Sequence, residues 1–446
     1  KILAPLLEAE IISTDEIRKK LYGNESIQGN WSEIKNVIDN KIDHAIAKNK
    51  SVIIDSTHAY RSWRLAYTQD LNKVANIEWI GWVITTEKSI CLSWNKKRKK
   101  IVPEPIIDEY FAAINDKYFG PIRGEGFATI IKINPAKEKD LKQKLLNDID
   151  SINFKISQGK RNDSAKKLHG YSHLIDFERL LFFIKLLLDF PNIDLENDYA
   201  KTKLKGICNP LPKGELLEKA SVLIRNMHGD CYADISKLEI DLNWLKSQGF
   251  LNLDSTYEEI KPPEVNIFRN LPNLGMNTIS DEFNFIKIMN LIRFISKNPY
   301  GFESSKLKSL YEYYINNLDN CYMPSEVHSL RKDIQNFITP YGFTDSATKA
   351  KNGHCFGNAI LDKLQIKEIY QFFAESSRRL DNPSMIDLKN DLLKRIKWSG
   401  IEINENPSKF ITNQSIINKD FVSEISLLNP ENSKELDSAI NDRKKI

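Results

Sequence analysis

Apolar and polar positions alternate in two different ways along this chain of 446 residues. Up to residue 135, short apolar runs rich in β-branched residues are separated by stretches with helical spacing, as expected for strands and helices in turn. The predicted strands lie in AEIIST (9–14), SVIIDST (51–57), IEWIGWVIT (77–85) and GFATIIKI (126–133). This alternation predicts an α/β fold with a mostly parallel sheet covered by helices.

After residue 135 helical spacing dominates. Residues 136–168 are strongly charged, with a few apolar positions at helical spacing, and predict a helix and linker between two domains. LIDFERLLFFIKLLLDFP (174–191) is apolar on most faces and predicts a buried helix rather than a membrane span, because charged residues interrupt it at Asp176, Glu178, Arg179 and Lys185. LQIKEIYQFFAESSRRL (364–380) predicts an amphipathic helix whose apolar stripe packs in the core or against a partner chain.

A weak internal repeat lies in this second part. SKLEIDLNWLKSQGF (236–250) resembles HSLRKDIQNFITPYGF (328–343), and both segments end in Gly-Phe. The sequence pairs Leu238 with Leu330, Asp241 with Asp333, Leu242 with Ile334 and Leu245 with Phe337. A helix, a turn and a second helix closing on a glycine and an aromatic residue outline a winged helix-turn-helix. TKAKNGHCFGNAIL (348–361) would be the second wing, a hairpin around Asn352-Gly353.

The second helix of each copy is the candidate nucleic-acid-binding element, since its small polar and basic residues would face a groove. The candidate contacts are Ser236, Lys237 and Asn243 in the first copy, and Ser329, Arg331, Lys332 and Gln335 in the second. The same helices carry Glu239, Asp241 and Asp333, which would repel phosphates. Nucleic-acid contact is the preferred interpretation, and a role in protein interaction or packing alone stays open.

Composition narrows the class of protein. The net charge is only +4, the charged fraction is 28%, and no apolar run approaches the ~20 residues that span a bilayer. Five cysteines occur singly and no signal peptide is evident, so we expect a globular, cytoplasmic protein with reduced thiols. His169 and His173 are four residues apart, but no third ligand accompanies them. They are predicted to be a capping or surface pair, and no metal site is predicted.

Candidate chemistry lies where the first two strands end, because ligands of parallel sheets bind at the carboxyl ends of strands. Asp15 follows the first strand, with Arg18 one helical turn later, and Asp55 and Thr57 follow the second. A carboxylate can accept a hydroxyl proton, and the fork of an arginine matches phosphate oxygens. The plainer alternative is that STDE (13–16) is only a helix cap and that NKKRKK (95–100) is a solvated face.

Three segments carry a family resemblance. ISTDEIRKKLYG, SVIIDSTHAYRSWRLAY and CLSWNKKRKKIVPEPIIDEYFAAI resemble, in order and spacing over about residues 1–115, the motifs of the polynucleotide-kinase-like P-loop phosphotransferases. The resemblance implies ATP and Mg²⁺ as cofactors, with Asp15 as general base, Arg18 as the ligand of a substrate phosphate and Arg98 as the lid arginine over ATP. Nucleotide contacts are expected from Arg98, Lys97, Asp55 and Thr57.

The chain departs from the family pattern at three places. His58 stands where the family has an amide after its acid and threonine, and Trp94 falls near the first of two lid arginines. No GxxxxGK[ST] loop occurs in the sequence. The expectation is that the chain begins just inside the helix that follows this loop, or that the protein lacks it.

A second resemblance concerns residues 169–446. They resemble the helical and winged-helix region that precedes WYL domains in bacterial, especially cyanobacterial, kinase-fusion proteins, although no Trp-Tyr-Leu signature is present. If the resemblance holds, a WYL domain would follow residue 446. The predicted domains are the kinase-like domain (1–135), the linker (136–168), winged-helix modules (169–262 and 276–361) and a C-terminal helical region (362–446).

These observations favour an ATP-dependent kinase that phosphorylates 5′-hydroxyl ends of RNA or DNA, provided that a P-loop is present. The alternative is a winged-helix DNA-binding regulator whose kinase-like domain senses a nucleotide or a nucleic-acid end. A small-molecule or zeta-toxin-like kinase is the further alternative. The expected partner is nucleic acid rather than a membrane, and a homo-oligomer stays open.

Overall fold

The computed structural model describes residues 2–68, 77–98, 101–163, 167–190, 193, 204–251, 260–264, 281–297, 312, 327–343, 363–380 and 383–398. By its internal contacts the chain divides into two compact units. Unit 1 comprises Lys1–Ile184 and Asn192–Lys287, and unit 2 comprises Lys185–Pro191 and Ile288–Ile446. The finer predicted domain boundaries stay predictions.

All four predicted strands are confirmed in unit 1. They are β1 (Glu10–Ser13), β2 (Val52–Asp55), β3 (Trp79–Ile84) and β4 (Phe127–Ile133). The parallel direction is confirmed as well, but a single sheet is not found among the described residues. Instead β1 pairs with β2 and β3 pairs with β4, giving two separate two-stranded sheets. Strand spacing along the sequence predicts the elements but not which edges form hydrogen bonds.

Helices cover these strands. They are α1 (Leu3–Leu6), α2 (Thr14–Tyr22), α3 (Trp31–Ala47), α4 (Arg61–Thr68), α5 (Lys88–Lys96), α6 (Glu104–Ile114), α7 (Leu141–Asp150) and α8 (Ile152–Asp163). α3 begins at Asn30, whose side chain accepts a hydrogen bond from the Ser32 amide at 3.0 Å. α2 ends at Gly23, where φ is 75°, a conformation that favours glycine at a helix end.

The first strand pair packs on α3. Ile34, Ile38 and Ile42 lie four residues apart along that helix and are almost fully buried. They meet Ile12 of β1 and Ile17 of α2 in one apolar cluster. Each such burial contributes about 2–3 kcal/mol, so this stripe fixes α2 against the end of β1.

The charged segment after β4 forms the expected helix, and a second one. Leu145 of α7, together with Ile152 and Ile156 of α8, packs against Ile131 and Ile133 of β4. The few apolar positions within residues 136–168 are therefore the face that covers the second strand pair.

A helical part follows the strands. It contains α9 (Leu174–Asp189), α10 (Leu216–His228), a 3-10 turn (Asp230–Tyr232) and α11 (Ile235–Ser247). All of it belongs to unit 1 except the end of α9 from Lys185 onward, which belongs to unit 2. α10, the turn and α11 follow one another as the predicted first module requires, while its residues 252–259 lie outside the described residues. At Gly229 in the turn, a Cβ would lie 2.6 Å from the Cβ of Ser62 in α4. The turn backbone therefore packs directly against α4.

The predicted buried helix is confirmed in α9, and its charged residues Asp176, Glu178 and Arg179 are buried in ion pairs. Arg179 donates from Nε to Asp241 Oδ2 at 2.6 Å and from Nη1 to Asp176 Oδ1 at 2.7 Å. Tyr171 donates to the other oxygen of Asp241 at 3.0 Å. All three charged side chains are 2% exposed or less. The ion pairs and hydrogen bonds compensate for the hydration that these groups lose on burial.

Unit 2 has helical segments. They are the main part of α12 (Glu282–Lys297), α13 (Val327–Asp333) with a π-helical turn (Ile334–Ile338), α14 (Lys363–Leu380) and α15 (Pro383–Trp398). α14 confirms the predicted amphipathic helix, and it contacts α15. The predicted second wing at 348–361 lies outside the described residues. In the described part of the chain, no helix is both long and apolar enough to cross a membrane.

The internal repeat is confirmed with one correction. Phe250 donates its amide to Leu245 O and Phe343 donates to Ile338 O, both at 3.0 Å, while Gly249 and Gly342 have φ of 66° and 75°. Leu245 thus corresponds to Ile338, so the predicted pairing with Phe337 is wrong. The second copy has one extra residue at this point, and its π-helical turn absorbs that residue.

Candidate active site

The first two strands bring their carboxyl ends to one edge. In the parallel register Ser13 of β1 lies opposite Asp55 of β2. Asp15 and Thr57 each follow two residues later, so both segments that were predicted to carry chemistry leave the sheet side by side. Asp15, Asp55 and Thr57 are all exposed. Their position agrees with the general location of ligand sites in parallel sheets.

Asp15 and Arg18 form the predicted pair on the first turn of α2. Arg18 Nη1 donates to Asp15 Oδ1 at 3.0 Å. The Asp15 side chain is 58% exposed and that of Arg18 only 17%, so the carboxylate faces solvent while the guanidinium lies against the protein. The second oxygen of Asp15 is open to accept a proton from a hydroxyl, and the pairing holds the side chain in place.

A polar recess lies beside this pair. His58 has φ of 43°, and its ring packs edge-on against Tyr67 with 5.0 Å between ring centroids. His58 Nε2, Tyr67 Oη and Arg18 Nε are buried, and none has a hydrogen-bond partner among the described residues. Buried polar atoms of this kind normally bind water or a ligand group.

Protonation states follow from burial in this recess. Burial, followed by the charge of Arg64, lowers the pKa of His58 to about 4, although a hydrogen bond with the Ser56 backbone opposes the shift. Burial raises the pKa of Tyr67 to about 12. At neutral pH the imidazole is therefore uncharged and the phenol keeps its proton. The sequence singled out His58 because it departs from the family pattern. Nothing in the sequence distinguished Tyr67 from the other residues of its helix.

The lid residues lie at the end of α5. Lys97 and Arg98 are exposed and make no ion pair with a described residue, so both are available for an anion. Asn95 stabilises the following loop, because its side chain donates to Val102 O at 2.8 Å and accepts from the Val102 amide at 2.9 Å. The structure shows no contact of Arg98 with Asp15 or Arg18.

Two arginines that sequence reasoning left without a role hold the loop after β2. Arg64 donates to the carbonyl oxygens of His58 at 3.0 Å and Ala59 at 2.6 Å. It also donates to both oxygens of Glu125, from Nε at 2.6 Å and from Nη2 at 2.9 Å. Burial raises the pKa of Glu125, and the hydrogen bonds and charge of Arg64 oppose that shift. This two-pronged geometry is typical of an ionised carboxylate.

Arg61 extends the same network toward the helical part. Its Nε donates to Glu125 Oε1 at 3.1 Å, its Nη1 donates to Glu178 of α9, and its Nη2 donates to the carbonyl oxygen of Tyr118. Tyr232, in the turn between α10 and α11, donates to the other oxygen of Glu178. Arg61, Glu125 and Glu178 are each 6% exposed or less. A buried network therefore connects the loop carrying His58 to the turn between α10 and α11.

A comparison with protein families bears on the N-terminal part. Residues 3–121 match the family described as an AAA domain. This match supports a P-loop, kinase-like, nucleotide-binding domain and covers the three segments quoted above. No curated protein matches the chain.

The AAA domain belongs to P-loop proteins that typically bind a nucleoside triphosphate with Mg²⁺. Some of the described residues are suited to bind the phosphates of the nucleoside triphosphate and its Mg²⁺. Lys97 and Arg98 are exposed cations suited to phosphate oxygens, and Asp55 and Thr57 offer exposed oxygen atoms suited to Mg²⁺. The glycine-rich loop that holds the other phosphates in this class has no counterpart in the sequence.

The candidate nucleic-acid contacts lie outside the AAA domain and are mostly on the surface. Ser236 and Asn243 are exposed and Lys237 is half-buried, while Ser236 Oγ donates to Asp234 at 2.7 Å as part of the cap of α11. In the second copy Arg331, Lys332 and Gln335 are exposed and Ser329 is half-buried. Their role in binding stays a prediction.

The sequence led us to expect that three acids in these helices repel nucleic-acid phosphates, and this expectation is partly wrong. Asp241 is fully buried in its pairing with Arg179 and Tyr171, and Asp333 is 6% exposed. Only Glu239 is exposed. Two of the three acids therefore face the protein interior, on the same buried side of their helices as Leu238 and Leu330.

Of the two expectations for His169 and His173, a capping pair or a surface pair, the surface one is corrected. They are 3% and 6% exposed, so they are not a surface pair. His169 Nδ1 accepts a hydrogen bond from the Tyr171 amide at 3.2 Å, and its ring packs on Phe285 with 4.4 Å between centroids. Among the residues that the structure describes, no group of three or more possible ligands could hold a metal ion.

Proposed function

We propose that the protein is an ATP-dependent kinase that phosphorylates the 5′-hydroxyl end of RNA or DNA. The observation that carries this proposal is the exposed Asp15 carboxylate, paired with Arg18 at 3.0 Å, at the edge shared by β1 and β2. The AAA domain match supports phosphoryl transfer in general. The choice of a polynucleotide acceptor rests on the motif resemblance and on the helix-turn-helix that follows.

Each residue has a defined task in this mechanism. Asp15 accepts the proton of the 5′-hydroxyl while the hydroxyl oxygen forms a bond to the γ-phosphorus of ATP. Arg18 binds a phosphate of the acceptor strand through its guanidinium, which fixes the hydroxyl relative to Asp15. Lys97 and Arg98 offset the negative charge that spreads over the transferred group. ATP, when bound, supplies the phosphoryl group and leaves as ADP.

The test is transfer of labelled phosphate from ATP with Mg²⁺ to RNA and DNA oligonucleotides that have a 5′-hydroxyl, using the full-length protein. Asp15→Asn should lower kcat about 10²- to 10⁴-fold, because general-base catalysis contributes that much. Glu16→Gln is the matched control, since Glu16 is an exposed acid on the same helical turn. It should retain activity. Absence of transfer to either acceptor, or an active Asp15→Asn variant, contradicts the proposal.

A regulator is the second candidate, and the buried network from the His58 loop to Tyr232 favours it. Such a protein binds DNA through its helix-turn-helix and changes that affinity when nucleotide binds. Gel shifts with and without ATP separate the two functions. DNA affinity that depends on ATP and is unchanged by Asp15→Asn supports the regulator, and equal affinity in all states removes it. Phosphorylation of nucleosides or sugar nucleotides alone would support the small-molecule kinase.

A further inference from the structure

An aromatic cluster lies on the side of α4 that faces away from the buried arginines. It consists of Tyr60, Trp63 and Tyr110, called here the aromatic platform. Tyr60 lies 4.6 Å from Trp63 and 6.1 Å from Tyr110, and Trp63 lies 5.9 Å from Tyr110, measured between ring centroids. In all three pairs the ring planes are nearly perpendicular, with interplanar angles of 80–87°. This edge-to-face arrangement holds the rings in fixed orientations.

The platform is rigid and partly open to solvent. Tyr60 donates its hydroxyl to Glu109 of α6, and this hydrogen bond raises the pKa of Tyr60 to about 12, so the phenol keeps its proton. The Trp63 amide donates to Tyr60 O at 3.2 Å at the start of α4. Trp63 is nevertheless 42% exposed. A large aromatic side chain held in place by two others, yet left open, is suited to stacking on a flat ligand.

Its position relates it to the candidate active site. Tyr60 follows Asp55 by five residues, which limits the separation of their backbones to about 18 Å. That distance corresponds to about five stacked nucleotides. Tyr110 belongs to α6, which follows the basic run along the chain and contacts α5. A strand with its 5′ end at Asp15 can therefore reach the platform with one of its first bases.

The charges of α6 and of the end of α5 bear on the ligand of the platform. Two acids of α6 are paired with cations, since Lys96 lies 3.8 Å from Glu104 and Lys88 lies 3.2 Å from Asp108. Lys97 and Arg98 remain exposed without an acidic partner in the described part of the chain. Exposed aromatic side chains combined with unpaired cations are typical of sites that bind single-stranded nucleic acid.

We propose that the aromatic platform stacks a base of the single-stranded 5′ end of the acceptor polynucleotide. This inference rests on the proposed polynucleotide kinase function and assigns it a base-stacking subsite. Stacking requires a π face but no particular base, so the subsite accepts any sequence. It rejects strands that lack bases near the 5′ end.

The experiment compares 5′-hydroxyl oligonucleotides, oligo(U) and oligo(dT), with strands of the same length whose first five positions are abasic. Fluorescence anisotropy should show about 5- to 150-fold weaker binding of the abasic strands by the unmodified full-length protein. Trp63→Ala should weaken binding of the intact strand and remove this discrimination, and Trp63→Phe should keep part of it. Trp31→Ala is the matched control, because Trp31 is 47% exposed on α3. Circular dichroism melts establish that each variant folds.

The outcomes separate the platform from the kinase function. Phosphate transfer with equal binding of intact and abasic strands overturns the platform and leaves the kinase function standing. Base discrimination that depends on Trp63, without any transfer, supports the platform and contradicts the kinase function. Tryptophan quenching by ATP alone that is lost in Trp63→Ala assigns the platform to the nucleotide and overturns the inference. Failure of every oligonucleotide to bind also overturns it.

Discussion

His58 and His228 show that burial outweighs other effects on single residues in this protein. His228 lies in the last turn of α10, where the helix dipole favours a charged imidazole. It stacks instead on Phe182 at 3.8 Å between centroids, and burial lowers its pKa to about 4. The same desolvation lowers the pKa of His58 to about 4, with the charge of Arg64 adding to it. Both residues are uncharged in the folded protein at neutral pH.

The stability of the protein should therefore depend on pH through these histidines. A pKa of about 4 in the folded state, below the usual value of 6.5, means that the unfolded chain binds more protons between these limits. This contribution is fully present above pH 6.5 and is lost as pH falls to about 4. Each histidine contributes on the order of 3 kcal/mol over this range.

Denaturant unfolding at several pH values measures this dependence. His228→Phe keeps a flat ring on Phe182 and removes one titrating group, so the loss of unfolding free energy between pH 6.5 and 4 should become smaller. Above pH 7 the variant and the unmodified protein should differ by a constant amount. An unchanged dependence between pH 6.5 and 4 would show that His228 is not buried in its neutral form.

At the scale of elements, the repeated helix was visible in the sequence but its irregularity was not. The apolar positions and the closing Gly-Phe predicted the similarity of residues 236–250 and 328–343. The spacing from Leu242 to Leu245 is three residues, whereas that from Ile334 to Ile338 is four. The hydrogen bonds to Phe250 and Phe343 decide this alignment, and the π-helical turn accommodates the extra residue.

Removing the extra residue should restore an ordinary helix in the second copy. Asn336 is exposed within the π-helical turn, and its deletion brings Ile334 and Ile338 to the spacing of the first copy. We expect the unfolding free energy to stay within about 1 kcal/mol or to rise, because π-helical hydrogen bonding is uncommon and strained.

The matched control is deletion of Asn243, an exposed residue in the regular first copy. That deletion turns Trp244 and Leu245 by about 100° away from the core and should cost several kcal/mol. Thermal melts by circular dichroism compare the two deletions. Equal losses of stability would show that the π-helical turn is not an inserted residue in a repeated helix.

At the scale of the whole molecule, unit 1 extends beyond the residues that match the AAA domain family. Arg61 joins Glu125, just before β4, to Glu178 in α9, and Tyr232 in the turn between α10 and α11 completes the network. Arg61 and Glu178 are 117 residues apart in sequence. The buried pairing explains why the AAA domain and the following helices form one unit.

Glu178→Gln should destabilise unit 1 strongly. The substitution leaves the buried guanidinium of Arg61 with one carboxylate in place of two, and breaking a buried pair costs about 3–5 kcal/mol. Glu87→Gln is the control, because its pairing with Lys137 at 2.8 Å is largely exposed and should contribute far less. Chemical denaturation gives both values. A small effect of Glu178→Gln would mean that the two parts of unit 1 are held together by apolar contacts instead.

The sequence by itself determined the elements and the catalytic candidates of this protein. Periodic apolar positions depend only on local geometry, so the strands and several helices were predicted, and Asp15 with Arg18 followed from one helical turn. Only the tertiary structure decided the pairing of four strands as two sheets, the recess at Tyr67 and the buried Arg61 network. These features depend on which distant surfaces meet and exclude water, and local spacing contains no information about that.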